Sequence, residues 1–257
     1  MKLAVVCAPF QVTLDAVENC RQMVEILEQC EPNDVVVFPE ASLSGYSDDI
    51  NFLAAIDQQE VTNGLNLLQG AARANHQHLF VGACRPDHEG WHNQAYYLGP
   101  TGQRAVYNKV NLATHERGFM VPGDSLPVFD LEFPEGNLRV GIQLCRELRF
   151  PDQWRALAEA GAELIVYMTY AIGDEAHRPV WRAHLVSRAA ENQRWVAAVN
   201  VAHRTQLCPS MLIDPAGLVI HELVSEFAPS KRAEIDTNVV SDWYLTQRRT
   251  DLTPRER

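Results

Sequence analysis

Short runs of consecutive apolar, β-branched residues alternate along the chain with segments in which apolar positions recur every three or four residues. Residues 3–7 read as a strand. Leu14, Val17, Cys20, Val24 and Leu27 then recur at helical spacing, with Asp15, Glu18, Glu25 and Glu28 mostly on other faces. That pattern predicts an amphipathic helix entered through Thr13 as its cap. Residues 35–38 are all apolar and predict a buried strand ending at Pro39-Glu40, where a functional loop begins. A helix around residues 64–75 follows, then strands at 79–83 and 94–98. Pro100-Thr101-Gly102 marks a turn before Arg104-Ala105-Val106-Tyr107, which predicts a hairpin, so strands adjoin here without a helix between them.

A second strand–helix unit runs through residues 138–144, Cys145, and a helix over 152–160. Residues 163–168 are the next strand, and a long helix over 180–194 leads to another at 195–199. Residues 211–213, the turn Asp214-Pro215-Ala216-Gly217 and residues 218–220 form a late hairpin. The polar end of the chain, residues 241–257, reads as an arm or frayed tail. No internal repeat, low-complexity block or Gly/Ser linker divides the sequence, so residues 1–257 are read as one domain. Helices alternating with strands in some stretches, and strands following strands in others, predict an α/β architecture of two mixed sheets with helices outside.

Composition narrows the function. With 46% hydrophobic and 21% charged residues, the chain suits a globular domain with a sizeable core. Its 22 Lys+Arg against 33 Asp+Glu give a net charge of −11, and the only basic cluster is Arg248-Arg249. Nucleic acid and anionic membranes are therefore not expected partners. No apolar run approaches the roughly 18 residues of a membrane span. The short apolar start runs into Pro9 and makes a poor signal peptide, so a cytoplasmic location is expected. Six scattered cysteines without a Cys-x-x-Cys pair read as reduced thiols.

Glycine-rich phosphate loops and the G-x-S-x-G serine elbow are absent. His76, His78, His88 and His92 read as a polar surface stretch beside the hairpin, and no metal is expected. Cys145 stands out because it follows an apolar strand directly and precedes a helix, in Gly141-Ile142-Gln143-Leu144-Cys145-Arg146-Glu147-Leu148-Arg149-Phe150-Pro151-Asp152. Backbone N–H groups at such an elbow favour the thiolate. From position alone a buried structural cysteine is an equal reading. Glu40 and Lys109 also stand just past strands, and strand ends along one sheet edge converge.

These residues resemble the nitrilase superfamily of carbon–nitrogen hydrolases along nearly the whole chain. Phe38-Pro39-Glu40-Ala41-Ser42-Leu43-Ser44-Gly45-Tyr46 looks like its glutamate motif. Tyr107-Asn108-Lys109-Val110-Asn111-Leu112, with Glu116-Arg117-Gly118-Phe119 and Gly123, looks like its lysine motif, and Cys145 through Asp152 like its cysteine motif. Arg188-Ala189-Ala190-Glu191-Asn192 and the stretch from Ser210 to Gly217 agree with later family segments. The resemblance implies a four-layer α-β-β-α sandwich with two mixed β-sheets, no cofactor, and a homodimer or higher homo-oligomer. It assigns Cys145 as nucleophile, Glu40 as general base, Lys109 as the cation stabilising the tetrahedral intermediate, Glu116 as an additional site glutamate, and the Arg146 backbone N–H as an oxyanion donor.

This sequence departs from the family where Arg146-Glu147 follows the cysteine, at Tyr167-Met168-Thr169-Tyr170-Ala171 in the segment lining the substrate pocket, and at Cys208-Pro209. The expected reaction is hydrolysis of a small carboxamide, ω-amidase-like, to acid and ammonia through a thioester. A nitrilase or N-carbamoyl amidohydrolase is the alternative, and a non-catalytic binding or redox-sensing protein the reading from another class. Tyr46, Tyr170 and Arg178 are candidate substrate-binding residues, Arg178 for a substrate carboxylate.

Overall fold

The structure, a computed structural model, describes residues 1–227, 229–249 and 251. Its strands are β1 (Lys2–Cys7), β2 (Val35–Val37), β3 (His78–Pro86), β4 (Trp91–Leu98), β5 (Arg104–Asn108), β6 (Val128–Phe133), β7 (Gly136–Leu144), β8 (Leu164–Thr169), β9 (Trp195–Asn200), β10 (Ser210–Ile213), β11 (Val219–Leu223) and β12 (Lys231–Asp236). The helices are α1 (Ala16–Leu27), α2 (Gln58–Asn75), α3 (Pro151–Glu159), α4 (Arg178–Asn192) and α5 (Trp243–Gln247). The strands form two six-stranded sheets, ordered β12-β1-β2-β3-β4-β5 and β11-β10-β9-β8-β7-β6. Parallel pairs β1–β2–β3 and β7–β8–β9 lie at the centre of each sheet, with antiparallel strands on both flanks.

Side-chain alternation assigns the layers. Leu3, Val5, Val35, Val37 and Phe80 of the first sheet share one cluster with Val140, Ile142, Leu144, Val166 and Val199 of the second, so the sheets face each other. Val6, Val36, Leu79 and Val81 point the other way, onto Met23, Leu27, Leu65 and Leu68 of α1 and α2. Ile165, Tyr167, Val196 and Ala198 do the same onto Trp154, Leu157, Leu185 and Ala189 of α3 and α4. The expected four-layer α-β-β-α sandwich is what the chain forms.

Several local expectations change. Asp15, not Thr13, caps α1: its carboxylate accepts from the N–H groups of Val17 and Glu18, while the Thr13 hydroxyl accepts from Asp15 N–H. The buried stripe is consequently Ala16, Asn19, Cys20, Met23 and Leu27, leaving Leu14 and Val17 exposed at 51% and 58%. α2 starts well before residue 64 because Asp57 caps it at Gln59 and Glu60. β6 and β12 are additional, half-exposed strands, β6 alternating apolar with acidic residues and β12 mostly polar; β12 pairs with β1 and buries Ile235.

His78 and His92 are buried rather than on the surface. The His78 ring meets the Tyr97 hydroxyl at 2.8 Å, and burial pushes its pKa down to about 4. His92 Nε2 lies 3.1 Å from the Asp87 carboxylate. The start of the expected arm is tied down, since buried Arg194 donates to the Ser241 carbonyl at 2.6 Å and pairs with Asp242. Residue 250 and residues 252–257 of that arm lie outside the described residues. Among the described residues no helix is long and apolar enough to cross a membrane, and all six cysteines are free thiols.

Candidate active site

Three strand ends deliver the functional side chains. The chain leaves β2 through Pro39-Glu40 and turns sharply, Ala41 adopting a left-handed φ of 49°. This turn lies directly on β3, where a Cβ on Gly82 would come within 2.2 Å of the Ala41 nitrogen and 2.8 Å of the Pro39 carbonyl, so only glycine permits the approach. The serines of the motif pin the loop, Ser42 accepting from Gly82 N–H at 3.0 Å and Ser44 from Cys84 N–H at 2.8 Å. Lys109 follows β5 immediately, and its N–H donates to the Asn93 carbonyl. Cys145 directly follows β7 at a left-handed φ of 41°, an unfavourable conformation for a residue with a Cβ.

Glu40, Lys109 and Glu116 meet in the interior. The Lys109 ammonium donates to Glu40 Oε1 at 2.8 Å and to Glu116 Oε1 at 3.0 Å, all three side chains being fully buried. Asn93 Nδ2 donates to the same two oxygens, each at 2.8 Å. Glu116 also accepts from the Tyr46 hydroxyl at 2.7 Å and from Ala113 N–H at 2.5 Å, and Glu40 Oε2 accepts from Tyr170 N–H at 2.9 Å. Burial alone lowers an ammonium's pKa, but Glu40 and Glu116 overcome that and hold Lys109 well above the ordinary lysine value. For Glu116, burial acts to raise the carboxyl; the Lys109 charge and the Tyr46, Asn93 and Ala113 donors reverse this and hold it below the ordinary value.

Cys145, partly exposed, faces this cluster in the protonated form. Burial, and next the Glu40 charge, push its thiol up to about 12 against the opposing Lys109. The elbow therefore does not hold a resting thiolate as its position in the sequence suggested, and the sulfur depends on a base.

Glu147 joins the two sheets behind this cluster. Its Oε1 accepts from Val110 N–H at 2.8 Å, Asn111 N–H at 3.0 Å and the Tyr107 hydroxyl at 2.7 Å, and its Oε2 accepts from Leu144 N–H at 2.7 Å. One buried carboxylate thus fixes both the loop after Lys109 and the residue before Cys145. Burial raises its carboxyl above the ordinary value, against the pull of these donors. Glu147→Gln replaces one acceptor with an NH₂ that faces an N–H. Urea unfolding of this variant is expected to show a loss of about 1–3 kcal/mol, together with altered alkylation of Cys145. If both measurements matched the unaltered protein, the clamp would not be what positions the elbow.

The sequence profile of the carbon-nitrogen hydrolase family matches residues 2–244. The chain belongs to this family. An (R)-stereoselective amidase from a Pseudomonas species is 28% identical over 214 residues, 81% of this chain and 76% of that protein. Human deaminated glutathione amidase is 33% identical over 159 residues, 58% of this chain and 46% of its own length. Among solved structures, an amidase from Nesterenkonia sp. superposes with a TM-score of 0.77 at 25% identity, covering 98% of this chain and 94% of that one. Saccharomyces cerevisiae Nit3 gives 0.80 at 22% identity, covering 97% and 96%. This protein is a carbon–nitrogen hydrolase acting on bonds other than peptide bonds.

Other expected residues of the hydrolase divide. Tyr46 belongs to the buried cluster, and its ring packs 5.4 Å from that of the more exposed Tyr170. The Arg146 N–H sits one residue beyond the elbow, with its side chain exposed. Arg178 is not brought to the cluster: its guanidinium donates to the Gln206 carbonyl at 2.9 Å and pairs with Glu175 at 3.2 Å. Among the described residues, one group has the make-up of a metal site, Asp87, Glu89 and His92 of the β3–β4 hairpin, and it shares no residue with the cluster. Reading the sequence missed Asn93 and His115, whose Nε2 meets the Tyr46 hydroxyl at 2.8 Å. Asn93 had a signal, for it is a polar residue on the strand face that Ala95 and Tyr97 bury.

Proposed function

We propose that this carbon–nitrogen hydrolase converts a small carboxamide to the acid and ammonia. The observation that carries this reading is the buried Glu40–Lys109–Glu116 cluster beside a partly exposed thiol whose pKa of about 12 demands a base. In this scheme Glu40 accepts the Cys145 proton as the sulfur attacks the amide carbon, forming a C–S bond. Lys109 and the Arg146 N–H stabilise the oxyanion, a kind of contact whose loss typically costs about 3–4 kcal/mol. Collapse breaks the C–N bond, and Glu40 returns the proton to departing ammonia, leaving a thioester. A water molecule then gives its proton to Glu40 and attacks the thioester. The acid forms, and the departing sulfur takes the proton back. Glu116 holds Lys109 and orients this water.

The amidases among the relatives support an amide as substrate. The test is ammonia release from a panel of amides, carbamoyl compounds and nitriles, with hydroxylamine added to divert the thioester to hydroxamate. Small amides are expected to turn over fastest. Turnover of nitriles alone, or silence across the panel, would reject the proposal.

A further inference from the structure

The parallel pairing of β7 with β8 places Leu144 opposite Met168, so Cys145 and Thr169 are the next residues along two neighbouring strands. Thr169 has the strand parity of Ile165 and Tyr167, and the Tyr167 hydroxyl already donates to the Cys145 carbonyl at 2.7 Å. The Thr169 side chain is fully buried, yet among the described residues no hydrogen bond of ordinary geometry forms at its hydroxyl, whose polar neighbours are the Cys145 thiol and the Tyr167 hydroxyl. A buried, unpartnered hydroxyl is costly, and the position needs a reason for it. The neighbouring sulfur supplies one. A neutral thiol is a feeble acceptor, whereas a thiolate is a strong one, and the hydroxyl acts in favour of the anion.

We infer that Thr169 is a further catalytic residue, its hydroxyl donating a hydrogen bond to the Cys145 sulfur whenever that sulfur carries negative charge. Charge reaches the sulfur twice in each turnover: first as Glu40 takes the thiol proton, before the C–S bond is complete, and again as that bond breaks and the sulfur leaves the acid product. Thr169 gives up no proton in either step. It offsets the Glu40 and Glu116 charges that oppose a thiolate, at a point where Lys109 is already shared between those two carboxylates.

This inference rests on Cys145 being the nucleophile and not on an amide being the substrate, and the test separates the two. The rate of Cys145 alkylation by iodoacetamide is followed by peptide mapping from pH 6 to pH 11 in the full chain and in Thr169→Val, Thr169→Ala and Thr169→Ser. Val and Ala are expected to move the profile upward by about one pH unit, a roughly tenfold slower reaction at pH 8. Ser is expected to stay within about twofold of the unaltered protein. If Val does not fold, Ala against Ser decides. Equal profiles for the hydroxyl-bearing and hydroxyl-free variants would overturn the inference. So would equal impairment of Ser, since only shape would then matter. A shifted profile combined with silence on the amide panel would leave Thr169 in place and remove the amidase proposal.

Discussion

Cys145→Ala is expected to fold like the unaltered chain while losing turnover by a factor on the order of 10⁵–10⁶, the loss that follows removal of a covalent nucleophile. The side chain is small and partly exposed, so little packing is at stake. Its backbone makes a second variant informative. Cys145 holds a φ of 41°, a region where a Cβ costs on the order of 1 kcal/mol and glycine is at ease. Cys145→Gly should therefore be as inactive as Cys145→Ala and about 1 kcal/mol more stable in urea unfolding. Should Gly prove the less stable of the two, strain is not what the elbow stores. Residual ammonia release above about one part in a thousand would mean that another group attacks the substrate.

Lys109→Met should have the largest effect on the fold. Two carboxylates would remain in the interior without their shared cation, and breaking a buried pair in this way typically costs about 3–5 kcal/mol. For a chain of this size that corresponds to roughly 6–20 °C in Tm. The pH dependence identifies the cause. In the unaltered protein Glu116 sits below its ordinary value. Its contribution to stability is therefore complete above the unfolded carboxylate pKa and is lost as pH falls through the folded one. Without Lys109, burial and mutual repulsion raise one carboxyl of the pair above its unfolded value. That raised group contributes below the unfolded pKa and loses its contribution as pH rises. The deficit of the variant, measured by urea unfolding, should accordingly be smaller at pH 5 than at pH 8. A deficit equal at the two pH values would mean that stranded carboxylate charge is not its origin.

Glu40, Lys109 and Cys145 stood out in sequence because each lies just past a strand, a local property of the chain, but their roles came from the three ordered motifs that resemble the family. The apolar pattern likewise showed two mixed sheets with helices outside, and the resemblance implied the four-layer stacking. Features that depend on distant partners were not legible. Asp15 outcompetes Thr13 as a cap because its carboxylate reaches two N–H groups, a matter of loop geometry rather than residue preference. The acid after Cys145 could be seen, but its bonds to Val110, Asn111 and Tyr107 could not. The protonated state of the thiol follows from burial and from carboxylates delivered by other segments, so the local elbow pointed the wrong way. Arg178 looked available for a substrate until the Gln206 carbonyl and Glu175 were seen to occupy it.

The pairing of β1 with β12 sets Lys2 against Asp236, so β1 waits for this neighbour until more than 200 further residues have been synthesised. At about 5–20 residues per second, that leaves one edge of the nascent first sheet open for on the order of 10–50 s. During that interval the Leu3–Cys7 stretch, buried in the folded protein, offers an unpaired apolar edge to other chains. Glu40 and Lys109 belong to that first sheet and Cys145 to the second, so the base and the sulfur meet only as the sheets dock. Onset of turnover is thus a clock for the completion of folding.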